Sequence, residues 1–357
     1  MFDQLFNKIG LLFNENKMNY NLWSSRNKIK LITDNSIIRD YKNSLKTDDL
    51  FKDNIKSLIK DIETLKYLYL FVIKNNNITF KIHLLNHKNQ NFDYQIYQII
   101  NIISSLFYLN KLDLQNQTIN IYLYLYDKPR TLYNQDLNDK SINGLTNSNR
   151  FICTCGYTSS RENKIIITRI NHFTGLLIHE LLHLFNVDEK DNDFDITNDW
   201  ERLFYNLISN KTKPGYFFEG INNFKACIIN MMIKYYLFDK SNDILSLFKI
   251  EYYYSYLLCC KIIKFFNCSS YQDMIKNNKF EQNGSLFEYT FIKFIFLSNI
   301  DYFDENLKLI ADKDKIIKTI KDFEIKLDNY KKINGLFDDL NNDNDSYDDE
   351  IVDYYFV

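Results

Sequence analysis

The sequence predicts an α+β fold, in which a mixed sheet with its helices is followed by a mainly helical C-terminal half. Two observations favour this class. Stretches that alternate apolar and polar residues and are rich in strand formers lie between residues 78 and 170. Beyond residue 216, apolar residues recur at the three- and four-residue spacing of helices.

The first 74 residues are interpreted as an N-terminal helical segment. Apolar residues recur at helical spacing from Asp49 to about Val72. Asn75-Asn76-Asn77 then interrupts the pattern, and an alternating stretch, ITFKIHLL, begins at Ile78. We therefore expect the first strand of the sheet to follow this asparagine run.

The sheet is predicted from four strands, one helix and one turn. Ile78–Leu85 and Thr118–Tyr126 alternate as strands, and Phe92–Leu109 between them has helical spacing. Phe151–Tyr157 and Lys164–Ile170 are predicted to pair across the turn at residues 159–163.

After residue 215 the sequence predicts helices at Tyr216–Phe238, Ile250–Phe266, Leu286–Leu297 and Lys313–Leu327.

Composition and charge exclude several classes of function. The chain has 357 residues and a net charge of -2, and no dense basic patch predicts nucleic-acid binding. No signal sequence opens it, and no apolar run reaches the roughly 18 residues of a membrane span. We therefore expect an intracellular protein without a membrane span. The six Cys lack the spacing of a disulfide framework and are expected to be reduced.

One short motif, within Thr174–Asn186, carries the strongest chemical signal. It contains His179-Glu180-Leu181-Leu182-His183, an HExxH pattern. Residues four apart lie on the same face of a helix, so both imidazoles can reach one metal ion. Glu180 lies beside them and can take a proton from a water that zinc has made more acidic. The pattern therefore predicts a catalytic Zn²⁺ site, with Thr174 as the N-cap of its helix.

Two His leave such a site one protein ligand short. No His follows His183, so the third ligand is expected to be a carboxylate, a Cys or an upstream residue. A metal-free alternative stays open, in which the two His of a buried helix make ordinary hydrogen bonds.

The order of elements and the motif resemble the N-terminal subdomain of the zincin metallopeptidases, over roughly residues 75–240. The resemblance implies a peptidase that acts on polypeptide substrates, with Phe151–Tyr157 as an edge strand that binds substrate. The segment FFEGINN is similar to that of gluzincins, which implies Glu219 as the third zinc ligand. Gluzincins often have Asp where this chain has Asn223, whose amide oxygen is expected to accept the N–H of a ligand His.

Two alternatives remain for the ligand set. Residues 183–189 are similar to the metzincin extension, and Glu189 would then replace the third His of that group. Glu219 also has a purely structural interpretation, because an acidic residue favours the first turn of a helix.

The expected organisation is a helical segment at 1–74, a zincin-like catalytic domain at 75–240, a helical subdomain at 241–335 and an acidic tail at 336–357. The tail is expected to be disordered, since from Asp338 onward it has eight acidic residues and no Lys or Arg. The competing functions are a non-catalytic zinc-binding structural or interaction protein and a helical binding module without metal. The sequence does not indicate an oligomeric state or an oxyanion-stabilising residue.

Overall fold

The computed structural model describes two compact units, one formed by the described residues up to Phe185 and the other by those from Ile196 onward. The described residues are 30–46, 63–75, 78–86, 92–110, 117–124, 156–167, 173–185, 196–208, 216–238, 244–277, 280, 286–304, 306–330, 333 and 335.

The first unit contains a six-stranded mixed sheet in the order β1-β2-β3-β4-β6-β5. The pairs β3–β4 and β4–β6 are parallel, and the other three pairs are antiparallel. This mixed sheet confirms the α+β class. Its strands and helices are β1 Lys30–Ile32, α1 Asn35–Lys46, β2 Tyr67–Asn75, β3 Ile78–Asn86, α2 Asp93–Asn110, β4 Gln117–Tyr124, β5 Gly156–Ser159, β6 Lys164–Ile167 and α3 Phe173–Leu184.

The core of this unit lies between one face of the sheet and the helices α2 and α3. Alternate residues of β3 and β4 point into it and are fully buried, among them Phe80 and Ile121. Phe107 of α2 contacts Phe80 edge-on, with ring centroids 6.1 Å apart, and contacts Phe185 after α3 at 5.6 Å. Burying a ring such as Phe80 or Phe185 contributes roughly 1.5–3 kcal/mol, so these contacts help to hold the end of α3 against α2 and the sheet.

The strand predictions for Ile78–Leu85 and Thr118–Tyr126 are confirmed to within two residues at each end, as is the helix at Phe92–Leu109. Lys164–Ile167 is the described part of the predicted last strand. The predicted turn is also present, and Asn163 adopts a left-handed conformation with φ 48°. Of Phe151–Tyr157, residues 151–155 lie outside the described residues.

The predicted helix from Asp49 to about Val72 is wrong at its C-terminal end, and with it the view that residues 1–74 are helical throughout. Tyr67–Asn75 is the strand β2, and Lys30–Ile32 is also a strand. The sequence YLYLFVI is aromatic and β-branched, and β2 pairs with β3 along its whole length. Cross-strand pairing therefore outweighs the helical spacing that was extended from residues 50–65.

The second unit is helical, as predicted for the C-terminal half. Trp200, Phe204 and Phe287 are packed edge-on or tilted in its core, with centroids 5.6–6.2 Å apart. Its elements are α4 Ile196–Leu207, α5 Phe217–Phe238, α6 Ile244–Phe265, α7 Tyr271–Lys276, a π-helix Glu288–Ile292, α8 Lys293–Ser298, a 3₁₀ turn Ile300–Tyr302, α9 Lys313–Asp322 and a 3₁₀ turn Leu327–Asn329.

Among the helices that the structure describes, none is long and apolar enough to cross a membrane.

Candidate metal centre

Helix α3 carries the HExxH motif in an almost entirely apolar setting. Four of its leucines and Ile178 are buried, and the helix packs against α2 and the strands β5 and β6. His179 and Glu180 are 3% and 8% exposed, and His183 is half-buried. Buried polar groups of this kind are stable only when they have partners.

The two imidazoles converge, as the four-residue spacing predicts. The Nε2 atoms of His179 and His183 lie 3.0 Å apart, and the two rings are nearly perpendicular at 78°. A tetrahedral zinc ion with Zn–N bonds of about 2.0–2.1 Å holds two nitrogens roughly 3.3 Å apart. The observed separation is therefore close to that of two ligands of one ion.

Glu180 is directed towards the strand β5. The hydroxyl Oγ1 of Thr158 lies 2.7 Å from Glu180 Oε2 and 2.9 Å from the backbone oxygen of the same residue. A hydroxyl has one hydrogen to donate, so these are two alternative acceptors for it. The bond connects the carboxylate to the sheet and compensates part of the cost of burying it.

Gly156 provides the space for the other side of this carboxylate. A Cβ at this position would lie 2.5 Å from Glu180 Oε1 and 3.0 Å from both Cδ and Cγ. Any side chain at position 156 therefore requires Glu180 or the strand to move.

Glu219 lies in the first turn of α5 and is half-buried. Among the described residues, one group of three side chains has the composition and proximity to hold a metal ion: His179, His183 and Glu219. Each of these offers one ligand atom, and the three atoms lie within 4.8 Å of one another. The rival ligand Glu189 lies outside the described residues.

The start of α5 is packed tightly against the π-helix. A Cβ on Gly220 would lie 2.7 Å from Ile292 Cβ and 2.9 Å from the backbone oxygen of Glu288. Three residues later, Asn223 donates from Nδ2 to the backbone oxygen of Tyr289 at 2.8 Å. These contacts hold the turn that carries Glu219. The bond to Tyr289 uses the amide nitrogen of Asn223, whereas the predicted bond concerns its amide oxygen. The expected bond from a ligand His to its oxygen stays a prediction.

The predicted N-cap role of Thr174 is wrong. The helix α3 begins at Phe173, so Thr174 lies inside its first turn. Its hydroxyl is buried and makes no hydrogen bond with the described residues. Side chains of β-branched polar residues are common at both places, and the sequence does not distinguish a cap from a first-turn residue one position later.

Sequence reasoning missed Thr158, Gly156 and Gly220. The chain has only eight Gly, and Gly156 and Gly220 lie within a strand and a helix. A glycine in such a place indicates close approach of another group, so this signal was available. Thr158 carries no comparable signal.

Tyr216, three residues before Glu219 in the sequence, is 57% exposed and stacks on Phe218 with ring centroids 5.1 Å apart. It is not assigned a role at an oxyanion.

Comparison of the chain with models of known protein families, with curated proteins and with solved structures gave no match.

Proposed function

We propose that this protein is a zinc-dependent peptidase with a zincin-like catalytic region. The observation that carries the proposal is the pair of convergent Nε2 atoms, 3.0 Å apart, on the helix whose intervening Glu180 is held in a fitted position. A site that only binds the metal can use two such His, but it does not need a buried carboxylate beside them.

The donor set fits zinc. Two imidazole nitrogens and one carboxylate oxygen are the ligands of His₂Glu catalytic sites, and such sites keep a fourth position open. His179, His183 and Glu219 would hold the ion. When bound, zinc supplies Lewis-acid activation of a water and of the peptide carbonyl.

Glu180 is the proton carrier of the proposed reaction. Its carboxylate takes a proton from the attacking water while the water oxygen bonds to the carbonyl carbon of the peptide. The same carboxyl then gives this proton to the leaving nitrogen as the C–N bond breaks, so Glu180 returns to its starting form. The products are a carboxylic acid and an amine.

An extended polypeptide is the substrate that fits the sheet. The strand β5 is at the edge of the described sheet and carries Thr158 and Gly156, which lie against Glu180. An edge strand offers backbone N–H and C=O groups to an added strand, and this is a common mode of peptide recognition. Substrate backbone would thereby be presented beside Glu180.

The experiment compares wild type with Glu180→Gln, Glu219→Ala and the control Glu201→Ala, whose side chain is exposed on α4. Bound zinc is measured by elemental analysis and chelator competition. Peptidase activity is measured as cleavage of an unstructured, fluorescently labelled protein substrate. Glu180→Gln should keep zinc and lose roughly 100-fold or more in kcat/KM. Glu219→Ala should lose zinc affinity by more than the roughly 10–100-fold typical of residues that only support a ligand. Glu201→Ala should match wild type.

Two results would contradict the proposal. Zinc bound by wild type without cleavage of any peptide favours the structural or interaction protein. A protein that binds no zinc would sink both metal-based functions and leave the helical binding module. Unchanged zinc affinity in Glu219→Ala would specifically remove Glu219 from the ligand set.

A further inference from the structure

Two residues of β5 share the face of that strand that is directed towards α3. Gly156 and Thr158 are two apart, and alternate residues of a strand point to the same side. Both of them contact the same side chain of α3, the carboxylate of Glu180. The strand therefore acts on Glu180 from one side, at two adjacent positions.

The two contacts are on different oxygens. Thr158 Oγ1 lies 2.7 Å from Oε2, within the range of a charge-assisted O–H bond. Gly156 lies beside Oε1, and Oε1 occupies the space that a Cβ at position 156 would need. A carboxylate on a flexible Glu side chain would rotate about its last torsion without such restraint.

We propose that Thr158 is a positioning residue for Glu180, that it holds the carboxylate by Oε2, and that Oε1, beside Gly156, is the oxygen that takes and returns the proton. This inference rests on the proposed function and assigns the roles of the two oxygens within it. Orientation of this kind matters because a displacement of about 1 Å at a reacting group costs roughly 100-fold in rate.

The hydroxyl is the part of Thr158 that this role requires. Thr158→Val keeps the shape and the β-branching but removes the donor, whereas Thr158→Ser keeps the donor and removes the methyl group. Thr118→Val is the matched control, since Thr118 is exposed on the strand β4. Gly156→Ala tests the second contact, and its control is Gly335→Ala, where nothing lies within 4 Å of an added Cβ.

For each variant we would measure kcat and KM separately, zinc affinity by chelator competition, and Tm. Thr158→Val should lower kcat roughly 10–100-fold while KM and zinc affinity change less than about threefold. Thr158→Ser should keep at least about half of the wild-type kcat. Gly156→Ala should lower kcat at least as much as Thr158→Val, and both controls should equal wild type. If Thr158→Val does not fold, Thr158→Ala replaces it in the same comparison.

Two results would overturn the inference: wild-type kcat in a folded Thr158→Val or Thr158→Ala, or a loss in Thr158→Ser equal to that in Thr158→Val. A Tm comparison provides a readout that does not depend on catalysis. The Tm loss caused by Thr158→Val should be smaller in a Glu180→Ala background than in wild type, and equal losses would mean that the two side chains do not interact. If wild type has no peptidase activity but this coupling is present, the proposed function fails while the contact stands.

Discussion

A buried ion pair in the helical unit provides the largest predicted effect on stability. Lys293 Nζ, at the start of α8, donates to Glu251 Oε1 on α6 at 3.0 Å, and both side chains are only 5% exposed. Ser255 donates to the same oxygen at 3.1 Å. Burial lowers the pKa of Lys293, but the Glu251 carboxylate, together with Cys227 and Cys259, raises it by more, so the pKa stays above its usual value.

Lys293→Met removes the cation and keeps the length of the side chain. At 3.0 Å and an effective dielectric constant of 20, the attraction is about 5–6 kcal/mol before the cost of desolvation. Removing one partner leaves a buried carboxylate, which typically costs about 3–5 kcal/mol of unfolding free energy. The helical unit should therefore unfold roughly 6–20 °C lower.

The assay is thermal and urea unfolding of the full chain, with two comparisons. Lys315→Met is the control, because its ion pair with Asp301 is 3.7 Å long and both side chains are more than half exposed. Such a pair contributes at most about 1 kcal/mol. The double variant Lys293→Met with Glu251→Met should recover most of the loss, since no charge stays buried. A loss in Lys293→Met no larger than in Lys315→Met, or a double variant less stable than the single, would refute this reasoning.

Two further predictions concern packing and pH. Gly220→Ala places a methyl group 2.9 Å from the Glu288 backbone oxygen, so unfolding free energy should fall by about 1–3 kcal/mol in urea titrations, despite the better helix propensity of Ala; Gly335→Ala should change it by less than about 0.5 kcal/mol. Burial lowers the pKa of His83, which stacks on Tyr122, to about 4. As the pH falls, His83 therefore becomes protonated in the unfolded chain before it does in the folded protein. The contribution of His83 to the free energy of unfolding should be fully present above about pH 6.5, and the free energy of unfolding should fall by about 2 kcal/mol between pH 7.5 and pH 5. His83→Phe should lack this part of the pH dependence, and an equal fall in that variant would contradict it.

The parts of the site that could be predicted from the sequence are local. Residues four apart in a helix share a face whatever surrounds the helix, so the convergence of His179 and His183 followed from spacing alone. The contact of Thr158 with Glu180 spans 22 residues and depends on β5 lying next to α3. No periodic pattern contains that information, because it arises from sheet order.

The same distinction explains the errors in the fold. The strand β2 follows a stretch with helical spacing, and its pairing with β1 and β3 in the sheet makes it a strand. The π-helix Glu288–Ile292 lies inside the segment that the sequence predicts as one continuous helix, because a single wider turn leaves no spacing signal of its own in so short a stretch. A glycine inside a helix, Gly220, was a signal in the sequence for close packing at this turn, because a Cβ there would meet Ile292 and the Glu288 backbone oxygen.

The surroundings of Glu180 bear on the choice between the proposed peptidase and the alternative of a zinc-binding structural protein. A carboxylate that is 8% exposed on an apolar helix costs stability unless it is compensated. A purely structural metal site gains nothing from this residue, and an apolar side chain at position 180 would pack against β5 without needing Thr158 or a glycine at 156. Two residues on a separate strand are instead fitted to it, one by a hydrogen bond and one by the absence of a side chain. Retaining a costly group together with its supports is expected where the group performs chemistry, and this favours the peptidase over the structural protein.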